Sequence, residues 1–513
     1  MHKASRLENS WPVFAFVASC FMALTLWPFV CNEFPGLADY ANHLARLHLL
    51  TGHAQSGWEE YYYIDHAIVP NLALDIIAAL FVECGLSPEV ALRVFVALAN
   101  LLVVFGVIYV SSRANDGRPP WLALWAFPIA FNRYFIWGFL NYYFAVGVGL
   151  FVFGLWVYGK RRRGGTLSFV DQASLSVALV FIMFGHLMGY AVTLLCMGLH
   201  TLSEMLRVQH GLRGALRCAA SGLLVILPSV LAYVFVCDHS ASDYPIVYLN
   251  TLYSKLAGFA SPFFAYDLRL AAVAAVAFVV SVIVAIAAKN KTFKDMALGA
   301  YSRSAWFVIA GLFIVFLLAP AGMMNSYFLD KRLFSPISFV VLGLLVCRLS
   351  FSKTIVITLL AFASHLLSVV SIDDVWRVHS RSMREIRSAL ERVELGSRIV
   401  GISFGDTHRM PIPPLQHAVT MAVYTRAAFV PSLFARPINA ESVAFRETHD
   451  YNPRVQDARE YSLPAQEMAY LFDSIDQYDY ALVTHANQVP SIPGDLRMLA
   501  EGEHFRLFKL AGK

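Results

Sequence analysis

The chain is poor in charge. Only 15% of its 513 residues are Asp, Glu, Lys or Arg, against roughly a quarter in a soluble globular protein. It also lacks a cysteine framework. Cys20, Cys31, Cys84, Cys196, Cys218, Cys237 and Cys347 all lie in or beside apolar stretches, so neither a disulfide scaffold nor a C-x-x-C metal site is written into the sequence. A Gly-rich phosphate loop, an H-E-x-x-H motif and a nucleophile elbow are all missing, which removes P-loop, zincin and α/β-hydrolase chemistry. No internal repeat or low-complexity tract is found, and no pair of Gly/Pro-broken spans recurs in matching halves, which speaks against a carrier. The net charge of +5 gives no reason to invoke nucleic acid, because the basic residues sit in short loops between apolar blocks.

What is present is apolar: 58% of residues are hydrophobic and 14% aromatic, gathered in blocks of roughly 17–25 residues, the length that crosses a bilayer. The pattern predicts a polytopic α-helical membrane protein with about 11 transmembrane helices. They fall at residues 12–31, 90–111, 119–135, 138–158, 167–185, 187–205, 218–236, 268–288, 305–318, 333–347 and 355–372. Lys3 and Arg6 precede a first apolar run too long for a signal-peptide core, so it reads as an uncleaved span. The segment PNLALDIIAALFVEC (70–84) is shorter, about 14 apolar residues, and carries Asp75; it reads as a helix at the outer surface. The loops holding Arg113, Arg118, Lys160, Arg161, Arg162, Arg163, Arg207, Arg213, Arg217, Lys289, Lys291, Lys294, Arg303, Arg348 and Lys353 then share one side. By the positive-inside rule that side, with the N-terminus, is cytoplasmic and the C-terminus is outside.

The expected division is a transmembrane domain over 1–372, with a first outer loop at 32–89, and an outer α/β domain over 373–513. In the latter MREIRSALERV reads as an amphipathic helix, and SRIVGISF, AFVPSLFA, DYALVTH and HFRLFKL read as strands. In the outer loop, NEFPGLADYANHLARLHLL reads as a helix from Leu37 that lies flat on the membrane. Asp39, His43 and Arg46 share its polar face, while Leu37, Ala41, Leu44 and Leu47 face the apolar side. Tyr61, Tyr62 and Tyr63 follow, as in an interfacial aromatic belt.

On this topology the polar residues that loops do not explain collect on the outer side: Asp39, His43, Arg46, Asp75, Arg93, Asn132, Arg133, Asn141, His186, Asp243, Asp330, Lys331 and Arg332. Ionisable groups at membrane depth usually have a job. Each also has a structural reading. Asp39 caps or solvates a helix; His43 and His186 pack in the interior; Arg93 and Arg332 snorkel to headgroups; Lys331 is solvated; Asp75 sits idle on a polar face. His408, His417 and His449 are too widely spaced for a local ligand motif and read as surface or structural.

The stretch PNLALDIIAALFVECGLSPEVALRVFVALANLL carries Pro70, Leu72, Gly85, Ser87, Ala91 and Arg93 in the pattern P-x-L … G-x-S … A-x-R. After a first span and an acid in a large outer loop, this resembles the GT-C superfamily of integral-membrane glycosyltransferases, which includes protein O-mannosyltransferases and aminoarabinose transferases. The likeness of layout covers the chain; the motifs cover about residues 12–110. The resemblance implies a GT-C-like fold and transfer of a sugar from a polyprenyl-phosphate donor to a glycan, lipid or protein acceptor on the outer face of the cytoplasmic membrane. By match of position Asp39 is the catalytic base and Arg93 a phosphate-binding or helix-positioning residue. Many members carry two adjacent acids here; in this chain Asp39 is followed by Tyr40, and Glu33 is the nearest other acid. No metal ligand is assigned, and a divalent cation is the one cofactor left open. The chemistry asks for a base on the incoming hydroxyl and cations for the departing phosphate, so His43, Arg46, Arg93, Asn141, His186, Lys331 and Arg332 are the expected substrate-binding residues. Polymerisation or ligation of lipid-linked polysaccharide, and a non-enzymatic transporter or scaffold, are the competing readings.

Overall fold

The first apolar block forms α1 (Trp11–Cys31), and Asn32 ends it in an extended conformation. The outer loop then gives α2 (Tyr40–Leu50), β1 (Tyr62–Ile64) and α3 (Ala73–Glu83). Gly85, at φ 96°, stops α3, and the Ser87 hydroxyl accepts from Val90 N at 3.4 Å to open α4 (Pro88–Ala114), with Pro88 in its first turn. The G-x-S motif is thus helix punctuation. The computed structural model describes residues 10–115, 117–207, 211–237, 246–248, 255, 258–286, 302–323, 326–345, 349–403, 414–436, 442–446, 475, 477–484 and 496–510. Lys3, Arg6, Asp243, Lys289, Lys291, Lys294, Cys347, Arg348, His408 and His449 lie outside the described residues.

The block expected to span at 119–135 is not one helix. A short 3-10 turn (Trp121–Trp125) leads into α5 (Ala126–Ala130), and a separate α6 (Arg133–Trp137) follows. Pro119, Pro120 and Pro128 remove backbone donors. Asn132 then starts a new helix, its Oδ1 accepting from Tyr134 N and Phe135 N. Residues 121–132 are buried throughout, so the broken backbone is shielded by protein rather than facing lipid. Beyond it come α7 (Leu140–Arg162), α8 (Phe169–Gly185), α9 (Leu187–Arg207), α10 (Gly211–Val236), α11 (Leu268–Ile286) and α12 (Ser302–Leu318). A hairpin of β2 (Gly322–Met323) and β3 (Ser326–Tyr327) leads to the short α13 (Leu329–Arg332), then α14 (Phe334–Leu344) and α15 (Phe351–Leu390). Among the described residues six helices are long and apolar enough to cross a membrane: α1, α4, α7, α10, α11 and α15. Helices α8 and α12 are shorter apolar helices. Helix α4 packs along α7 and against α14, α7 against α9, α8 against α10, and α15 against α1 and α11.

Helix α15 has 40 residues, about 60 Å at 1.5 Å per residue. It runs without a break across the 372/373 boundary expected between the domains. Its far end carries a four-stranded sheet in the order β4 (Ile399–Ser403), β6 (Tyr480–Thr484), β8 (Phe505–Lys509), β7 (Arg497–Glu501). The first pair is parallel and the others antiparallel. SRIVGISF, DYALVTH and HFRLFKL supply β4, β6 and β8. AFVPSLFA forms no ladder strand: Pro431 lacks the amide a ladder needs, and only Phe429 makes an isolated bridge, to Arg398. A short helix, α16 (Met421–Arg426), precedes it.

Two expectations for the outer loop need correction. Helix α2 does not lie on the membrane with one side in water; Tyr40 to Leu49 are all buried. The C-terminal residues cover it. Asn42 Nδ2 donates to Ser432 O at 2.8 Å, Asn42 Oδ1 accepts from Phe434 N at 2.6 Å, and Tyr424 of α16 stacks on His48 at 3.9 Å. The tyrosine cluster is likewise a clamp rather than a belt. Strand β1 pairs antiparallel with β5 (Val443–Phe445), Tyr61 donates to Gly396 O at 2.6 Å, and the buried Tyr62 hydroxyl accepts from Val430 N at 2.7 Å. Removing that hydroxyl leaves a buried N–H without a partner. Tyr62→Phe is therefore expected to cost about 1–3 kcal/mol and to speed amide hydrogen exchange over residues 428–434. Unchanged exchange there would show that the hydroxyl does not hold this segment.

Candidate functional site

Asp39 occupies the N-cap position of α2, yet its side chain makes no capping hydrogen bond to the helix. The carboxylate instead meets His417, whose Nε2 lies 3.5 Å from Asp39 Oδ1. Both side chains are 9% exposed, so the pair is nearly out of water. The backbone beneath is fixed by the turn that follows α6: Ala38 N donates to Ile136 O and Asp39 N to Trp137 O, both at 3.1 Å. Gly138, the next residue, has φ 93°, and a Cβ there would stand 2.8 Å from Asp39 Cβ.

His43, one turn along α2, completes this attachment. Its Nε2 is 3.0 Å from Gly138 O, and a carbonyl only accepts, so Nε2 carries the proton. Nδ1 then faces Arg46 Nη1 at 3.4 Å as the acceptor. Burial first, then the Arg46 cation, hold the His43 pKa down at about 3, with His417 adding to them and the Gly138 carbonyl opposing. Arg46 is fully buried and ion-paired with Asp75, whose Oδ2 accepts from Ser442 Oγ at 2.7 Å. Asp75, read from sequence as an idle polar-face residue, is thus half of a buried ion pair, and Arg46 is its partner.

Arg332 ends α13 with its guanidinium 3.7 Å from the centre of the Phe139 ring, directly after Gly138 in sequence. Burial pulls its pKa down to about 10, against Tyr142, then the Asp39 carboxylate, then Tyr134, which favour the cation. Asp39 and Arg332 therefore lie within electrostatic reach of one another. Tyr142 donates to Arg332 O at 2.8 Å and meets the His186 ring edge-on at 5.5 Å. Arg332 also acts electrostatically on His186. Arg133 opens α6 and lies 5.9 Å from the Phe264 ring centre; its charge and that of Arg332 both bear on the Tyr134 phenol. Among the described residues neither arginine forms an ion pair with a carboxylate. Lys331 is half-buried over Phe328, at 5.8 Å. Phe328 takes the left-handed conformation, φ 60°, and such strain in a non-glycine residue is typical of functional sites. Buried Asp330 anchors the turn, with Oδ2 3.8 Å from Lys255 Nζ.

Of the expected site residues, Asp39, His43, His186 and Arg332 converge, with Lys331 beside Arg332. Asn141 serves α3 instead: its Oδ1 accepts from Leu74 N at 2.6 Å, and its Nδ2 reaches Asn71 O and Oδ1. Arg93 donates to Asn32 O at 3.2 Å at the end of α1, where Asn32 also bonds Asp373 of α15. Glu33 pairs with Arg384 and Arg387 of α15. Pro70 and Leu72 of the sequence motif bond the turn at 184–187, through Pro70 O to Leu187 N and Leu72 N to Phe184 O, and so steady His186. His417, read as surface or structural from sequence, Phe139 and Tyr142 are additions. Arg133 was noted among the outer polar residues but not assigned to the site. Among the described residues, no three His, Cys, Asp or Glu side chains form a group that could hold a metal ion.

No family model matches the chain, and no curated protein matches it. Solved structures do. ArnT from Cupriavidus metallidurans bound to undecaprenyl phosphate is 12% identical with a TM-score of 0.50, and the same protein in the apo state is 11% identical with a TM-score of 0.53. Each match covers 96% of this chain and 97% of that chain. The chain has the ArnT fold. The GT-C resemblance read from the outer loop is borne out at the level of architecture: a bundle of apolar membrane helices followed by a small C-terminal sheet region.

Gly138→Ala should disturb Asp39 by two routes. The left-handed backbone costs about 1–2 kcal/mol for a residue with a Cβ, and the new methyl overlaps Asp39. Gly52, at φ 69° with open space around it, provides the control. In thermal unfolding Gly138→Ala is expected to lose clearly more stability than Gly52→Ala; equal losses would mean that the contact with Asp39 is unimportant. His43 gives a pH signature. Between pH 6.5 and about 3 the unfolded chain binds a proton at this ring and the folded chain does not, so this contribution to stability is present above pH 6.5 and lost as pH falls towards 3. Wild type should lose up to about 1.4 kcal/mol more per pH unit than His43→Asn over that window. Parallel curves would refute the neutral assignment.

Proposed function

We propose that this protein is a membrane glycosyltransferase that moves a sugar from a polyprenyl-phosphate carrier to an acceptor hydroxyl, with Asp39 as general base. The observation that carries the reading is a buried carboxylate at a helix N-cap that does not cap, within the field of an arginine that has no ion-pair partner among the described residues. Such a pair suits a reaction that generates a proton on one side of a sugar carbon and negative charge on the other. As the acceptor oxygen bonds the anomeric carbon, the bond from that carbon to the phosphate oxygen breaks. The electron pair leaves on the phosphate, and the hydroxyl proton goes to Asp39. Arg332, Arg133 and Lys331 are the cations for the phosphate, and His186 lies at its edge. The ArnT structure that holds undecaprenyl phosphate supports a carrier of this class, through the shared fold.

The site belongs, on this reading, to the outer face of a cytoplasmic membrane. Helices α4 and α7 begin beside α2 and α6, and end with Arg113 and with Lys160, Arg161 and Arg162. Cations at the far ends of both helices favour a cytoplasmic orientation for those ends, which leaves Asp39 and the C-terminal sheet outside.

Short-chain polyprenyl phosphate added to the purified protein in lipid nanodiscs tests the donor side. Wild type is expected to gain thermal stability on binding. Arg332→Gln and Arg133→Gln should each weaken binding by about tenfold or more, the loss of one charge-assisted hydrogen bond or more. Equal binding by all three proteins would remove these arginines from the phosphate site.

A further inference from the structure

His417 comes to Asp39 from the other end of the chain, and its approach is fixed by contacts that involve neither reacting atom. Its carbonyl accepts from Thr420 N at 3.0 Å and from Thr420 Oγ1 at 2.7 Å, which closes the turn that carries it. Its ring packs edge-on against Phe434 at 5.1 Å. Phe434 N in turn donates to Asn42 Oδ1, and the Phe434 ring also meets His43 at 6.0 Å. One aromatic ring thus sets the imidazole against the same face of α2 that carries Asp39. The turn holding His417 follows the β4 strand of the C-terminal domain, and the segment after it is clamped to the outer loop through Tyr62 and β5.

We propose that His417 is a positioning residue for Asp39: it holds the carboxylate turned away from the N–H groups of α2 for its work on an acceptor hydroxyl. The C-terminal domain is then part of the catalytic unit rather than a cover over it. This rests on the reading of Asp39 as base. Among the described residues, the other charged or titratable groups near Asp39 have these places. On its own helix, His43 is held by Gly138 and Arg46 is paired with Asp75; from α13, Arg332 acts at longer range; from the α6 turn the Trp137 carbonyl and Gly138 approach. Among the described residues, His417 is the ionisable neighbour that meets the carboxylate oxygen, at 3.5 Å. A polar N–H or a cation beside a carboxylate favours its ionised form, so loss of the imidazole should raise the pH at which Asp39 takes up its proton.

The test uses infrared difference titration of the full-length protein in nanodiscs, with the Asp39 carboxyl band assigned by its absence in Asp39→Asn. In His417→Ala the band should appear at a pH about one unit higher than in wild type. His417→Gln, which keeps an N–H near the position of Nε2, should restore most of that difference and most of the sugar transfer lost in His417→Ala. The same titration midpoint in wild type and His417→Ala overturns the proposal, as does a midpoint that moves equally in the Ala and Gln variants. Thermal midpoints of the same samples separate this from misfolding. The infrared result stands apart from turnover, so an absence of polyprenyl-phosphate binding would defeat the glycosyltransferase reading without touching the pairing.

Discussion

Three hydrogen bonds tie the start of α2 to the turn after α6, and the position of Asp39 depends on them: Ala38 N to Ile136 O, Asp39 N to Trp137 O, and His43 Nε2 to Gly138 O. They exist because α6 ends at Gly138 instead of running on into α7. In an uninterrupted helix the carbonyls of residues 136–138 would accept from the following turn. Ending α6 at Trp137, with a left-handed Gly138, frees them for the outer loop instead. The same turn points Phe139 towards Arg332, so one local irregularity sets the acid and the cation relative to each other. The irregular backbone before it, at residues 121–132, is tolerated because it is buried in protein.

Burial then fixes α2 from the opposite direction. Arg46 is a fully buried cation, and a buried charge is costly unless it is paired and hydrogen-bonded. Asp75 of α3 supplies the pair, and Ser442 from the C-terminal part of the chain satisfies the second carboxylate oxygen. Strand pairing of β1 with β5, the Asn42 bridges and the Tyr62 clamp join the same regions. The loop after α1 and the C-terminal segments therefore form one interlocked layer at the ends of the apolar helices, with Asp39 inside it.

Much of the helix layout was legible in the sequence. Apolar blocks mark helices α1, α4, α7 to α12, α14 and α15, because length and hydropathy are what a bilayer selects. The break at 119–135 was signalled by Pro120, Pro128 and Asn132, but hydropathy alone averages over such residues. The burial of α2 was not legible: the same apolar stripe suits a helix on a membrane and a helix under a domain. Asp39, His186 and Arg332 could be grouped because topology brings them to one side. His417 could not, since a contact between the first loop and the C-terminal domain leaves no local spacing to read. Asn141 was drawn in as a polar residue on that side and Arg93 by its place in the sequence motif, and their hydrogen bonds, to Asn71 and Leu74 and to Asn32, give them their structural places.

The central claim is that Asp39 takes the acceptor proton in transfer of a polyprenyl-linked sugar. The most direct measurement compares lipid-linked sugars in cells carrying wild-type protein or Asp39→Ala at matched membrane levels. Accumulation of one polyprenyl-phosphate sugar with the Asp39→Ala protein alone is the predicted result, and it would identify the donor. An unchanged lipid pool at equal protein level would contradict the claim.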